Sequence, residues 1–184
     1  MNDYYRFVKE LSDRNEDYVF LNSDEGKMLS VFKVMFQGAN KVFRVFAGSL
    51  CNDTTDNKEY IDAVSEFLER GGKLRVLLNN FDEKKAFQSD LFRRLYYYVT
   101  KGKEVRIRTT NEKPYITSGD DRINVHFSVG DEKSYRIEQD IEKRTAVCNM
   151  NGEEQAKDMA RLFDKIFENY YVKEVDLKLL FERG

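Results

Sequence analysis

The sequence predicts an α/β protein with a central mixed, largely parallel sheet flanked by helices. Three observations carry that prediction. Helical periodicity alternates with short apolar runs along the first two thirds of the chain; the helical segments end at glycines; and beyond Pro114 three strand-like runs follow one another with no room for a helix between them.

Ser23 or Asp24 is placed to cap a first helix over about 25–37, in which Met28, Phe32, Met35 and Phe36 recur at helical spacing before Gly38 ends it. KVFRVFAG (41–48) reads as a strand. A second helix over 59–70 carries Ile61, Val64 and Leu68 and stops at Gly71-Gly72. LRVLLNN (74–80) is a short apolar strand of the kind buried in a parallel sheet. Ser89 caps a third helix through LFRRLYYYVTK, closed by Gly102, and EVRIRT (104–109) is the third strand. Each strand–helix–strand step makes a right-handed crossover, so these strands run parallel.

TTNEKPYITSGDDR (109–122) holds the single proline and is expected to be a mobile loop. INVHFSVG, SYRIE and TAVCNMN then add antiparallel or edge strands. A last helix over about 153–170 sets Ala156, Met159, Phe163, Ile166 and Tyr170 on one stripe. The chain is expected to form one domain over 1–184. Residues 1–22 read as an N-terminal extension, and 172–184 as a tail that docks as strand, helix or oligomerisation arm.

Composition narrows the function. Apolar residues are 41% of the 184, enough for a respectable core. The 31 basic and 33 acidic residues leave a net charge of -2, so attraction to nucleic acid needs a local basic patch. Two distant cysteines, Cys51 and Cys148, and one histidine read as no disulfide or metal framework; no metal and no cofactor are expected. No apolar run reaches the roughly 18 residues of a spanning helix, and the first residues lack the apolar core of a signal peptide. A cytoplasmic protein without membrane insertion is the expectation. CNDTTDNKEY (51–60) is polar enough to line a cleft; its Asp53, Asp56 and Glu59 read as a solvated loop with a capping Asn57 before they read as a metal site. The basic, tyrosine-rich stretch 91–113 reads as an amphipathic helix and strand, with single-stranded nucleic acid as the alternative.

The chemistry concentrates around the only histidine, in INVHFSVGDEKSYRIE (123–138). Alternate residues of a strand share a face, which groups Asn124, His126 and Ser128. A three-residue turn at 131–133 sets Val129 against Tyr135, Phe127 against Ile137, Ser128 against Arg136 and His126 against Glu138. That register keeps apolar with apolar. Asn124, His126, Ser128, Arg136 and Glu138 then gather on one polar face, equipped either to hold a phosphate or to face solvent as an ordinary polar strand surface.

The order of elements resembles one repeat of the phospholipase D superfamily over about 28–171. It does so through VFRVFAGSL with FLERGGKLRVLLNN, through the histidine hairpin, and through TAVCNMNGEEQAKDMARLFDKIFENY. The family's motif is His-x-Lys, four residues, Asp, then Gly-Ser. Its spacing is met by Asn124-x-His126-x4-Asp131, which places Asn124 at the histidine, His126 at the lysine and Asp131 at the aspartate. A second alignment puts His126 at the histidine and Ser128 at the lysine, with the aspartate two residues early. The Gly-Ser is replaced by residues from Arg136 to Gln139.

The resemblance implies attack on phosphorus by one imidazole and protonation of the leaving oxygen by a second, supplied by a homodimer when a chain has one motif. On it, His126, Asp131 and Glu138 are candidate catalytic residues, and Asn124, Ser128 and Arg136 candidate phosphate ligands. Three functions follow: a catalytically impaired homodimer binding a phosphate-containing partner such as nucleic acid; an active phosphodiesterase or nuclease with paired His126; or a scaffold without a ligand.

Overall fold

The computed structural model describes residues 2–143 and 145–182. In chain order the elements are α1 (Asp3–Asp13), β1 (Phe20–Asn22), α2 (Glu25–Gly38), β2 (Val42–Ala47), α3 (Lys58–Glu69), β3 (Lys73–Leu78), α4 (Glu83–Gln88), α5 (Asp90–Thr100), β4 (Val105–Thr109), β5 (Tyr115–Ser118), β6 (Asp121–Asn124), β7 (His126–Gly130), β8 (Ser134–Asp140), β9 (Thr145–Asn149), α6 (Glu153–Phe167), β10 (Lys173–Glu174) and α7 (Leu177–Glu182).

The capping residues decide the helix starts. Asp24 accepts the N–H of Lys27 at 2.9 Å, Asn57 that of Glu59 at 2.8 Å and Ser89 that of Phe92 at 3.3 Å. Of the two candidates for the α2 cap, Asp24 does the work. At the end of α3, Gly71 takes φ +90° and the Gly72 N–H returns to the Phe67 carbonyl at 3.1 Å, the usual glycine stop. A Cβ on Gly72 would lie 2.3 Å from the Phe67 ring, so the second glycine is required by space as well.

The strands form one eight-stranded mixed sheet in the order β1-β9-β8-β7-β2-β3-β4-β10. Among the described residues only β2–β3 and β3–β4 are parallel. The parallel part is thus smaller than the sequence predicts. Both chain ends add antiparallel edge strands that short, weakly patterned segments do not announce. The proline segment also differs: β5 and β6 pair as a separate hairpin, so 109–122 is not a structureless loop. Nor is 1–22 an appendage. Over its described residues, α1 buries Val8 and Leu11, and β1 pairs with β9. The tail resolves into β10 on β4 and α7, whose Phe181 stacks on Tyr96 at 5.1 Å.

Alternation along the strands sorts two cores. Phe43, Val45, Leu74, Val76, Leu78 and Ile107 pack under the helices α2, α3 and α5. The Phe36 and Phe43 rings stack there at 3.8 Å. On the other face Phe46, Leu77, Phe127 and Val129 meet Phe163 and Phe167 of α6. Beside that core the sheet carries a row of arginines. Arg44, Arg75 and Arg106 are cross-strand neighbours. Arg44 and Arg75 converge on Asp164, Arg106 and Arg108 on Glu174. Three of the four guanidinium groups, those of Arg75, Arg106 and Arg108, lie over the Phe167 ring.

Candidate functional site

The β7–β8 hairpin adopts the register deduced from its sequence, with His126 opposite Glu138, Ser128 opposite Arg136 and Val129 opposite Tyr135. Its polar face, however, is not a solvated one. It points toward α2, so Ser128, Arg136 and Glu138 are buried and the His126 ring is mostly covered. A buried charge must be paired, and here the pairing forms a chain. The Asn22 side-chain oxygen accepts from Arg136 Nε at 3.0 Å. Arg136 Nη2 donates to Glu138 Oε1 at 3.1 Å, and Glu138 Oε2 lies 3.4 Å from His126 Nδ1. The guanidinium also sits 5.3 Å from the centre of the Phe32 ring.

The other edge of the imidazole faces Gly48 at the end of β2, where a Cβ would lie 3.5 Å from Cε1 and 3.8 Å from Nε2. Here α2, the loops after β2 and β3, and the hairpin enclose a cavity of about 290 Å³. Ser49, Asn52, Thr55 and Asn80 contribute polar groups; Phe32, Val45 and Tyr60 wall it. The position, beyond the carboxyl ends of parallel strands, is where open α/β sheets place their ligands.

Burial alone would raise the Glu138 pKa. The hydrogen bond from His126 and the Arg136 guanidinium outweigh it and hold the carboxyl below its ordinary range. A depressed carboxylate pKa adds stability that is complete above the unfolded value of about 4.3 and is lost as pH falls through the folded one. Glu138→Gln is therefore expected to lower stability at neutral pH and to flatten its decline below about pH 4.3. Urea midpoints across pH 3–7 read the difference, and parallel profiles for both proteins would contradict it. Burial pushes the Cys148 thiol up to about 12 and the Cys51 thiol up to about 11. Neither is a nucleophile.

Two sequence candidates leave the site. Asn124 is exposed on β6 opposite Tyr115, because the Val125 N–H bonds the Pro114 carbonyl and breaks the strand before His126. Asp131 sits at the far end of β7, at φ +55°. Its carboxylate accepts the N–H groups of Asn40, Lys41 and Val42 at 2.8–2.9 Å, clamping the turn from α2 into β2. Asp131→Ala is expected to cost about 1–3 kcal/mol through those N–H groups and to leave ligand affinity unchanged. A lost affinity with intact stability would return Asp131 to the site.

Sequence reasoning missed Asn22, Tyr60 and Asn80. The position of Asn80 just past a parallel strand was a usable signal; Asn22 lies in a three-residue strand and gave none. Of the carboxylates at 53–59, Asp56 is taken up by Ser89 Oγ at 2.6 Å and the Leu91 N–H at 2.9 Å, and Asn57 caps α3. Among the described residues no cluster of His, Cys, Asp and Glu is arranged to hold a metal ion. Tyr98 of the basic stretch is buried and Tyr96 stacks on the tail.

No protein-family model and no curated protein matches the chain. Solved structures do. TrmBL2, an archaeal chromatin protein described with a novel mode of DNA binding, matches with a TM-score of 0.60 at 14% identity, over 92% of this chain and 60% of its own. The fold is that of the phospholipase D superfamily. Nuc from Salmonella typhimurium, a phospholipase D family member, matches at TM-score 0.58 and 14% identity over 87% of this chain and 99% of Nuc. NucT from Helicobacter pylori matches at 0.57 and 12%, over 83% and 97%. This chain thus spans about the whole of Nuc but less than two thirds of TrmBL2. Among the described residues no helix is long and apolar enough to cross a membrane.

Proposed function

We propose that the chain is a phospholipase D-like protein that binds a phosphate-containing partner, nucleic acid foremost, in the cavity at His126, and that it does so as a homodimer with impaired catalysis. The observation that carries this reading is the buried chain from Asn22 through Arg136 and Glu138 to His126, ending at a cavity lined with hydrogen-bonding groups. Such a chain holds an imidazole rigidly where an anion can meet it. In the alignment with intact spacing His126 stands at the family's lysine position and Asn124 at its histidine; in the second alignment His126 stands at the histidine and Ser128 at the lysine. The neighbouring strand places Arg136, paired with Glu138, directly opposite Ser128. The DNA binding described for TrmBL2 supports nucleic acid as the partner.

Impaired catalysis is supported by the alignment whose spacing is intact: Asn124 stands at the family's histidine position, and an amide cannot attack phosphorus. One geometric feature favours the active alternative. With its Nδ1 proton directed at Glu138, a neutral imidazole turns the Nε2 lone pair away from Glu138, as an attacking group requires. A dimer bringing two such rings to one phosphorus would complete the machinery.

Short single-stranded DNA and RNA titrated across a salt series test the binding, with dimer mass read by light scattering. Affinity is expected to fall steeply with salt and by about tenfold or more in His126→Ala, the loss of at least one charge-assisted contact. Binding that ignores both salt and His126 would leave the scaffold reading. Hydrolysis of bis(4-nitrophenyl) phosphate by the wild type, abolished in His126→Ala, would establish the phosphodiesterase.

A further inference from the structure

The deep end of the cavity differs from its mouth. Val45, Tyr60, Ser128 and Arg136 line it, each 3–4% exposed, and Phe32 of α2 covers it. Its charges cancel, since Arg136 is paired with Glu138 inside the protein.

Two hydroxyls are left over. Those of Tyr60 and Ser128 belong to residues that are almost wholly buried and border the cavity, and among the described residues no hydrogen bond from either to a protein group is found. Burial holds the Tyr60 phenol far above its ordinary pKa, so it is a neutral donor and acceptor at any physiological pH. An unmet buried hydroxyl costs about 1–3 kcal/mol, so such groups are normally completed by water or by a ligand. The ring of Tyr60 meets that of Phe32 edge-on at 5.2 Å, which adds an aromatic wall beside the two hydroxyls.

We infer that the cavity takes a small polyol phosphate, its phosphate at His126 and its hydroxylated organic part in the deep end, selected by the Tyr60 and Ser128 hydroxyls. This deepens the preceding reading and rests on it, because it adopts a phosphate at His126. Uncharged hydroxyl and aromatic groups match uncharged C–H and O–H groups of a sugar or glycerol unit. They do not match a second phosphate, which would meet Glu138 without a spare cation. A nucleotide at a chain end, a glycerol phosphate and a sugar phosphate all share this chemistry.

Calorimetric titration of the full chain separates them, with inorganic phosphate, sn-glycerol 3-phosphate, glucose 6-phosphate and adenosine 5′-monophosphate as the probes. At least one ester is expected to bind about tenfold more tightly than inorganic phosphate, the worth of one or two neutral hydrogen bonds. Tyr60→Phe, which removes a single oxygen and keeps the packing, is expected to erase most of that advantage while leaving inorganic phosphate unaffected; Ser128→Ala is expected to weaken the esters more than it weakens inorganic phosphate. His126→Ala should weaken all four. If the esters bind no better than inorganic phosphate, or if both oxygen deletions bind them as the wild type does, the inference falls and the phosphate site stands. If neither the four probes nor an oligonucleotide binds the wild type, both fall together.

Discussion

Arg136→Met is expected to destabilise the protein by about 3–5 kcal/mol, the cost of leaving a buried carboxylate without its cation. Arg136 is 3% exposed and lies between Asn22, Glu138 and the Phe32 ring. The methionine matches the stem of the arginine and fills much of its volume, so the loss reports charge and hydrogen bonding more than packing. Glu138 would then keep only the His126 contact, and part of the penalty would be escaped by protonation. The destabilisation should accordingly shrink as pH is lowered. Arg136→Met with Glu138→Leu removes both charges and should recover most of the loss, since buried ion pairs often exchange for apolar groups at little cost. Urea denaturation of the three proteins decides it. A single variant within about 1 kcal/mol of wild type, the range of an exposed pair, would mean the pair is solvated.

Phe43→Ala is the second large effect, at about 3–5 kcal/mol for a fully buried aromatic ring. Phe43 is completely buried on the central strand, stacked on Phe36 of α2 and 6.0 Å from Phe67 of α3. Its loss opens a void below the two helices that roof and wall the cavity through Phe32 and Tyr60. Ligand affinity should fall along with stability, although Phe43 does not line the cavity. Phe163→Ala, on the opposite face of the sheet, gives the control. It should cost similar stability with a smaller effect on binding, because α6 touches the other core.

How much of this was legible beforehand depended on periodicity and on range. The helices α2, α3, α5 and α6, the parallel strands and the hairpin register were all readable, because each is set by spacing within a dozen or so residues and by caps at its ends. The pairing of His126 with Glu138 follows from a turn and an apolar match, both local. What failed was long-range or short in extent. β1, β5, β6 and β10 are two to four residues long, and nothing so brief carries a period. Asn124 was misplaced because Val125 bonds Pro114, a contact that the alternation of the flanking residues conceals. Asp131 kept the family's spacing while serving as a clamp for the α2–β2 turn. The burial of the polar face depended on where α2 lies, which no strand pattern states.

The Asn22–Arg136 bond spans 114 positions of the chain, and β1 reaches β9 across a comparable distance. Contacts that far apart close late, after the local hairpins and helix pairs have formed. During synthesis the first strand must therefore wait for the last quarter of the polypeptide to emerge. Until then Arg136 is without the Asn22 oxygen, and a ribosome-bound chain would be expected to show native helices before it shows its full affinity.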